Sequence, residues 1–204
     1  MRFKAILFDV GGPLDLEFAW ESAVDGAIAA SCGLEGIRVD QTMVEEASDA
    51  AVAAFAADTY AHMIETLCGG DPQSIARVRQ RMRAMVGNLD VFQLRPGIDG
   101  LLQRLHARGL ALGVIDPARQ WPRLERAGIV ELFVRDVDAP AAACLFVGDR
   151  IDTDIAPAKA NGMTAIQFRS GRWRRQRPRT VAETPDAVAT DVPELDAAIA
   201  ALLG

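Results

Sequence analysis

Lysine is nearly missing from this chain: its 204 residues hold only Lys4 and Lys159, so arginine supplies almost all of the 22 basic side chains. Histidine is as scarce. His62 and His106 are isolated from each other on expected helices, which reads as a structural role for both. The three cysteines, Cys32, Cys68 and Cys144, are odd in number, widely spaced and form no Cys-x-x-Cys pair. That excludes a disulfide framework and a thiolate metal site, and it fits a reducing, cytoplasmic setting. No run approaches the roughly 18 apolar residues that span a bilayer. The Met1-Arg2-Phe3-Lys4 start leads into only four apolar residues before Asp9, so neither a signal peptide nor a membrane anchor is expected. A basic excess is also lacking. The net charge of −6 argues against nucleic acid or an anionic membrane as the partner of the surface as a whole. With 50% hydrophobic residues and ordinary glycine and proline usage, disorder and collagen are excluded, and one large domain or a domain with an insertion is expected.

What is present is a change of grammar along the chain. Ala5-Ile6-Leu7-Phe8 is a fully apolar run ending in Asp9-Val10-Gly11-Gly12-Pro13, which reads as a buried parallel strand and a tight turn. Helical spacing follows: Leu16, Trp20, Val24, Ala27 and Ile28 up to Gly33. A long Ala-rich stretch follows from Asp40 to Gly69-Gly70, with Met43, Ala47, Ala50, Ala54 and Phe55 on one face, so that 16 to about 92 is expected to be nearly all helical. Asp71-Pro72 looks like an N-cap with proline at the first helical position. After Pro96-Gly97, helices alternate with short apolar strands at 110–115, 145–147 and 164–168, and Asp191 with Glu194 forms a capping box for a last helix. The expectation is an α/β fold: a Rossmann-like parallel sheet core from 1–15 and 93–204, with an all-helical cap inserted at 16–92.

Asp9 and Asp149 each sit just past the carboxyl end of a short apolar strand, and Asp154 follows five residues after Asp149. Ligands of open α/β sheets bind outside those strand ends. Each acid alone also reads as turn or helix-start chemistry. Together, if the strands are neighbours, they would repel one another unless a cation intervenes, and an all-oxygen ligand set favours Mg²⁺. A carboxylate beside such an ion can attack phosphorus.

Phe8-Asp9-Val10-Gly11-Gly12-Pro13-Leu14 resembles the first motif of the haloacid dehalogenase-like (HAD) hydrolase superfamily, and Val147–Ile155 with Ala158–Met163 resembles its fourth. The resemblance implies Asp9 as nucleophile and metal ligand, the Gly11 carbonyl as a further ligand, and Asp149 and Asp154 completing a Mg²⁺ site. Gly11, Gly12, Asp116 and Arg150 are the residues expected around a bound phosphoryl group. The insertion is similar to the family's helical cap. Three features depart from the pattern. Gly11 stands where the family has a general acid, Asp116-Pro117 where its second motif has Ser or Thr, and no lysine matches its third motif. Arg150 and Arg135 are the candidates to replace that lysine. Only six residues separate Val137 from Cys144, too few for the strand and helix that would carry it. An irregular crossing over 130–143 is expected instead.

Two functions follow from this reading. One is a weak or specialised Mg²⁺-dependent phosphatase acting on a small phosphorylated metabolite, with metal-free dehalogenation as a lesser branch. The other is a catalytically silent binding or regulatory protein on the same fold. The dense run Arg169, Arg172, Arg174, Arg175, Arg177 and Arg179 around Trp173 is expected as a solvated loop that attracts an anionic substrate or pairs with a second copy in a homodimer. Glu45-Glu46 reads as helix surface, and Trp20, Phe55 and Met63 as core of the insertion.

Overall fold

Short, almost wholly apolar strands form the middle of the fold, as they must where helices cover a sheet on both faces. The computed structural model describes residues 3–89 and 91–204; Met1, Arg2 and Asp90, among them the first two residues of the opening segment discussed above, lie outside the described residues. In chain order the elements are β1 (Ala5–Phe8), α1 (Phe18–Leu34), α2 (Gln41–Ala53), α3 (Thr59–Leu67), α4 (Pro72–Val86), α5 (Ile98–Ala107), β2 (Ala111–Val114), α6 (Pro117–Arg126), β3 (Cys144–Gly148), α7 (Ala156–Ala160), β4 (Thr164–Phe168), β5 (Ala187–Ala189) and α8 (Val192–Leu203). They divide into two compact units, Met1–Leu16 with Phe92–Gly204, and Glu17–Val91. No helix among the described residues is long and apolar enough to cross a membrane.

The first unit is a five-stranded sheet in the order β2-β1-β3-β4-β5, every pair parallel. Phe3, Ile6, Phe8, Leu101, Leu105, Leu145, Ile166, Phe168, Leu195 and Ile199 are buried in one core with its helices. Each such side chain contributes about 1.5–3 kcal/mol on burial. In this strand order the connections part on either side of β1 and β3, and the crevice at their carboxyl ends is where such sheets bind ligands. The register sets Phe8 beside Val114 on one flank and Val147 on the other, so the residue after β1 emerges between the ends of β2 and β3.

Between α6 and β3 the chain makes only two single 3₁₀ turns, Val130–Leu132 and Ala141–Ala143. This is the irregular crossing that its length dictates. Its Val137 side chain approaches β2 closely because Gly113 has none: a Cβ there would stand 2.6 Å from Leu7 Cδ2 and 2.7 Å from Val137 Cγ2. Where the helical insertion leaves and rejoins the sheet, its two ends are stitched together. Leu16 N–H donates to the Gln93 carbonyl, Arg95 N–H to the Leu14 carbonyl, and Gln93 N–H to the buried Asp15 carboxylate.

The second unit packs α1 on α4 and α2 on α3 around Ile28, Met63, Ile64, Val78 and Met82. Asp40, Asp58 and Asp71 each cap a helix by accepting the backbone N–H three residues on, worth about 1 kcal/mol apiece. The Ala-rich stretch over 40–70 forms two helices, α2 and α3. Phe55 adopts the left-handed conformation with φ 52°, and Asp58 restarts the helix. Its buried face is Val44, Ala47, Ser48, Ala51 and Val52, whereas Met43 is exposed. The capping box before α8 is also altered: Asp191 accepts from Glu194 N–H, but the Glu194 carboxylate reaches Thr190 rather than the cap residue's own amide. The three-residue strand β5 had no sequence signal.

Candidate active site

Asp9 is carried out of the sheet by β1, its own N–H still donating to the Val147 carbonyl at 2.8 Å. Asp149 follows directly on β3 and is almost fully buried. Asp154 is brought back to the same place by a π-helical turn over Ile151–Ile155, in which Ile155 N–H reaches the Arg150 carbonyl. The wider turn, frequent at functional sites, lets one Asp154 oxygen accept from the Asp149 and Arg150 amides at 3.1 and 2.9 Å. Asp9, Asp149 and Asp154 thereby offer carboxylate oxygens that all lie within 4.8 Å of one another.

Two glycines make this convergence sterically feasible. Gly12 has φ +77° in the turn after β1, and a Cβ there would stand 2.7 Å from an Asp149 carboxylate oxygen. A Cβ on Gly148 would stand 2.6 Å from the Cβ of Asp154. Arg95 pins the turn from outside: its Nε donates to the Gly12 carbonyl at 2.8 Å and its guanidinium lies 4.8 Å from the Phe168 ring centre. Gly11 lies in the same turn, half-buried.

The electrostatics are those of acids crowded out of water. Burial first, and the neighbouring Asp154 second, push Asp9 up from 3.8 to about 7, against the opposing pull of the Val10 N–H and of the Arg119 and Arg150 charges. Burial likewise raises Asp154. An all-oxygen set of three close carboxylates, two of them held toward their protonated forms, fits a hard divalent cation such as Mg²⁺, whose charge would reverse both shifts.

Arg150 is built in rather than loose. It grips Asp152 through two nitrogens, at 2.7 and 3.2 Å, and its guanidinium stacks 4.2 Å from the Trp173 ring centre. Burial works to raise Asp152, but Arg150 and Gln176 overcome it and hold its carboxyl below the usual range. Gln176 also accepts from Ile151 N–H. The arginine run is thus not simply a solvated loop. Gly171–Arg175 is a 3₁₀ turn in which Arg172 and Trp173 are buried, while Arg174, Arg175, Arg177 and Arg179 face solvent.

The remaining sequence candidates are placed as follows. Asp116 ends the loop after β2 with φ 51° and is exposed; its carbonyl accepts from Arg119 and Gln120, and it is not part of the carboxylate group. Arg135 stacks on Trp121, and Lys159 pairs with Asp186 at 2.9 Å. Arg119 and Arg95 were not singled out from the sequence. Arg119 follows Asp116-Pro117 by two residues, in the first turn of α6, and that position was the available signal.

A family model described as HAD-hydrolase-like matches residues 126–195. Two curated relatives are named glyceraldehyde 3-phosphate phosphatase. That of Methanocaldococcus jannaschii is 31% identical over 114 residues, covering 43% of this chain and 50% of its own. That of Methanopyrus kandleri is 26% identical over 116 residues, covering 45% and 50%. The chain spans about half the length of the curated relatives it matches. Among solved structures, the magnesium-bound YfnB of Bacillus subtilis superposes with a TM-score of 0.66 at 16% identity, over 98% of this chain and 99% of that one, a likeness of fold. The chain is thus similar to the haloacid dehalogenase-like hydrolases over residues 126–195, and its fold is like theirs over nearly its whole length.

Proposed function

We propose that the α/β unit is a Mg²⁺-dependent phosphohydrolase that uses Asp9 as nucleophile on a small phosphorylated metabolite. The observation that carries this reading is the meeting of Asp9, Asp149 and Asp154 within 4.8 Å at the switch point of the sheet. The phosphatase names of the curated relatives support the same substrate class.

Asp9, Asp149, Asp154 and the Gly11 carbonyl would hold the ion, which supplies positive charge to the carboxylates and to the phosphoryl oxygens. In this reading the ionised Asp9 oxygen attacks phosphorus, the bond from phosphorus to the substrate oxygen breaks, an aspartyl phosphate forms, and the departing oxygen takes its proton from solvent water. Water then attacks the same phosphorus, gives its proton up to solvent, and returns the Asp9 carboxylate and inorganic phosphate. Arg150, fixed by Asp152 and Trp173, and Arg119, at the start of α6, supply the fixed positive field that a lysine would otherwise give to the transferring group. The Gly11-Gly12 turn and Asp116 border the phosphoryl position. Gly11 brings no carboxyl to protonate the leaving alcohol, a loss worth about 10²–10⁴-fold. Turnover is therefore slow and favours good leaving groups.

The test is hydrolysis of para-nitrophenyl phosphate with and without Mg²⁺, in wild type and Asp9→Asn. Mg²⁺-dependent turnover lost in the variant is expected. Equal background rates in both proteins refute the enzyme. A thermal shift with Mg²⁺ or phosphate but no turnover on any substrate would assign the fold to ligand binding instead.

A further inference from the structure

Helix α4 carries four arginines at every second position, Arg77, Arg79, Arg81 and Arg83, and the two pairs one helical turn apart meet different surroundings. Arg77 and Arg81 both close on Glu35. Arg79 and Arg83 instead line a cavity of about 310 Å³ lying wholly within the helical unit. Trp20, Val24, Met82 and Val86 form much of its apolar wall.

This second arginine pair is poorly neutralised. Arg79 has Glu65 at 3.5 Å from one terminal nitrogen, and that carboxylate is half exposed to water. The Nε–H of Arg79 is buried with no acceptor. For Arg83 no ion pair is formed among the described residues. Asp58 also borders the cavity, but its carboxylate accepts the Ala61 N–H at 2.9 Å as the cap of α3. Like charges one turn apart on a helix repel each other, and here they do so at the edge of an apolar hollow large enough for roughly ten non-hydrogen atoms.

We propose that this cavity is a binding site for a small organic anion, in which Arg79 and Arg83 hold a carboxylate or phosphate head and Trp20, Met82 and Val86 enclose a compact aromatic or branched body. The anion supplies the counter-charge that Arg83 lacks and a second partner for the terminal nitrogens of Arg79 beside its long contact with Glu65. The site is independent of the hydrolase reading: every group it uses lies in Glu17–Val91.

The test is titration of the full ¹⁵N-labelled chain, free of Mg²⁺, with phenylacetate, phenylphosphonate and neutral phenylacetamide. The Trp20 indole resonance, identified by its loss in Trp20→Phe, and the amides of Tyr60 and Met82 should shift saturably with at least one anion. Whichever anion binds more tightly identifies the head group. Phenylacetamide should bind about tenfold or more weakly, and Arg83→Gln, at an exposed position, should weaken the anion by about tenfold or more while leaving phenylacetamide unaffected. Absence of saturable shifts with either anion, equal affinity for the neutral amide, or indifference to Arg83→Gln in a variant with an unchanged melting temperature would overturn the proposal.

Discussion

Replacing Asp9 by asparagine should make the metal-free protein more stable, and the size of the gain follows from the position of the carboxyl. Asp9 is held at about 7 against an ordinary 3.8. The fold therefore binds this proton about a thousandfold more tightly than the unfolded chain does. Between those two values the native state keeps a proton that the unfolded state has released, so stability is full below pH 4, falls as pH rises, and levels off above pH 7. At about 1.4 kcal/mol for each tenfold change in proton affinity, the loss by pH 8 is about 4 kcal/mol. Asparagine keeps the shape and the acceptor for the Val10 N–H but carries no charge to strand. Urea unfolding in EDTA, followed by the fluorescence of Trp121 and Trp173 in a Trp20→Phe background, should place Asp9→Asn above its parent by several kcal/mol at pH 8, the gap closing toward pH 4. Mg²⁺ at pH 8 should stabilise the parent far more than the variant. An asparagine variant no more stable than its parent at pH 8, or a gap that ignores pH, would refute the claim that the acids are crowded and poorly hydrated.

Two further predictions concern the walls of the site. Gly148→Ala drives a methyl group to within 2.6 Å of Asp154 Cβ, where carbon atoms normally keep about 3.5–4.0 Å. A loss of about 1–3 kcal/mol should appear as a lower melting temperature, with weaker Mg²⁺ binding by calorimetry because Asp154 is pushed off the two amides that hold it. An unchanged melting temperature would mean that the strand and the acid do not approach so closely. Arg150→Gln should lower kcat/KM on para-nitrophenyl phosphate by about 10²–10³-fold, and Arg150→Lys should fall in between, because an ammonium keeps the charge but cannot grip Asp152 with two nitrogens. Full activity in the glutamine variant would remove Arg150 from the transferring group.

Much of this was legible in the chain because the informative signals are local. Four-residue apolar runs ended by Asp announce both a buried strand and the acid beyond it, and a count of residues from Val137 to Cys144 is enough to forbid a strand and helix between them. What escaped depends on contacts distant in sequence. The break at Phe55 has neither glycine nor proline to mark it, so a run of alanines reads straight through to Asp58, which in the structure caps the restarted helix. Ala187–Ala189 is too short for any periodicity to register. Trp173 is covered in part by Arg150, which lies 23 residues earlier and is itself gripped by Asp152, so no window centred on the arginine run could show that its aromatic residue is a seat for one cation.

The hydrogen bonds joining Leu14 and Leu16 to Gln93 and Arg95 give the insertion a particular thermodynamic character. Because its ends are already sewn together beyond the carboxyl end of β1, the entropy of closing that loop is settled by the stem, and it grows only slowly with the number of residues between. To the strands, the intervening helices are a removable graft: the stem leaves β1 and α5 in place whatever is spliced into it. Cargo at that junction can lengthen, shrink or be exchanged while the acids at the strand ends stay where they are.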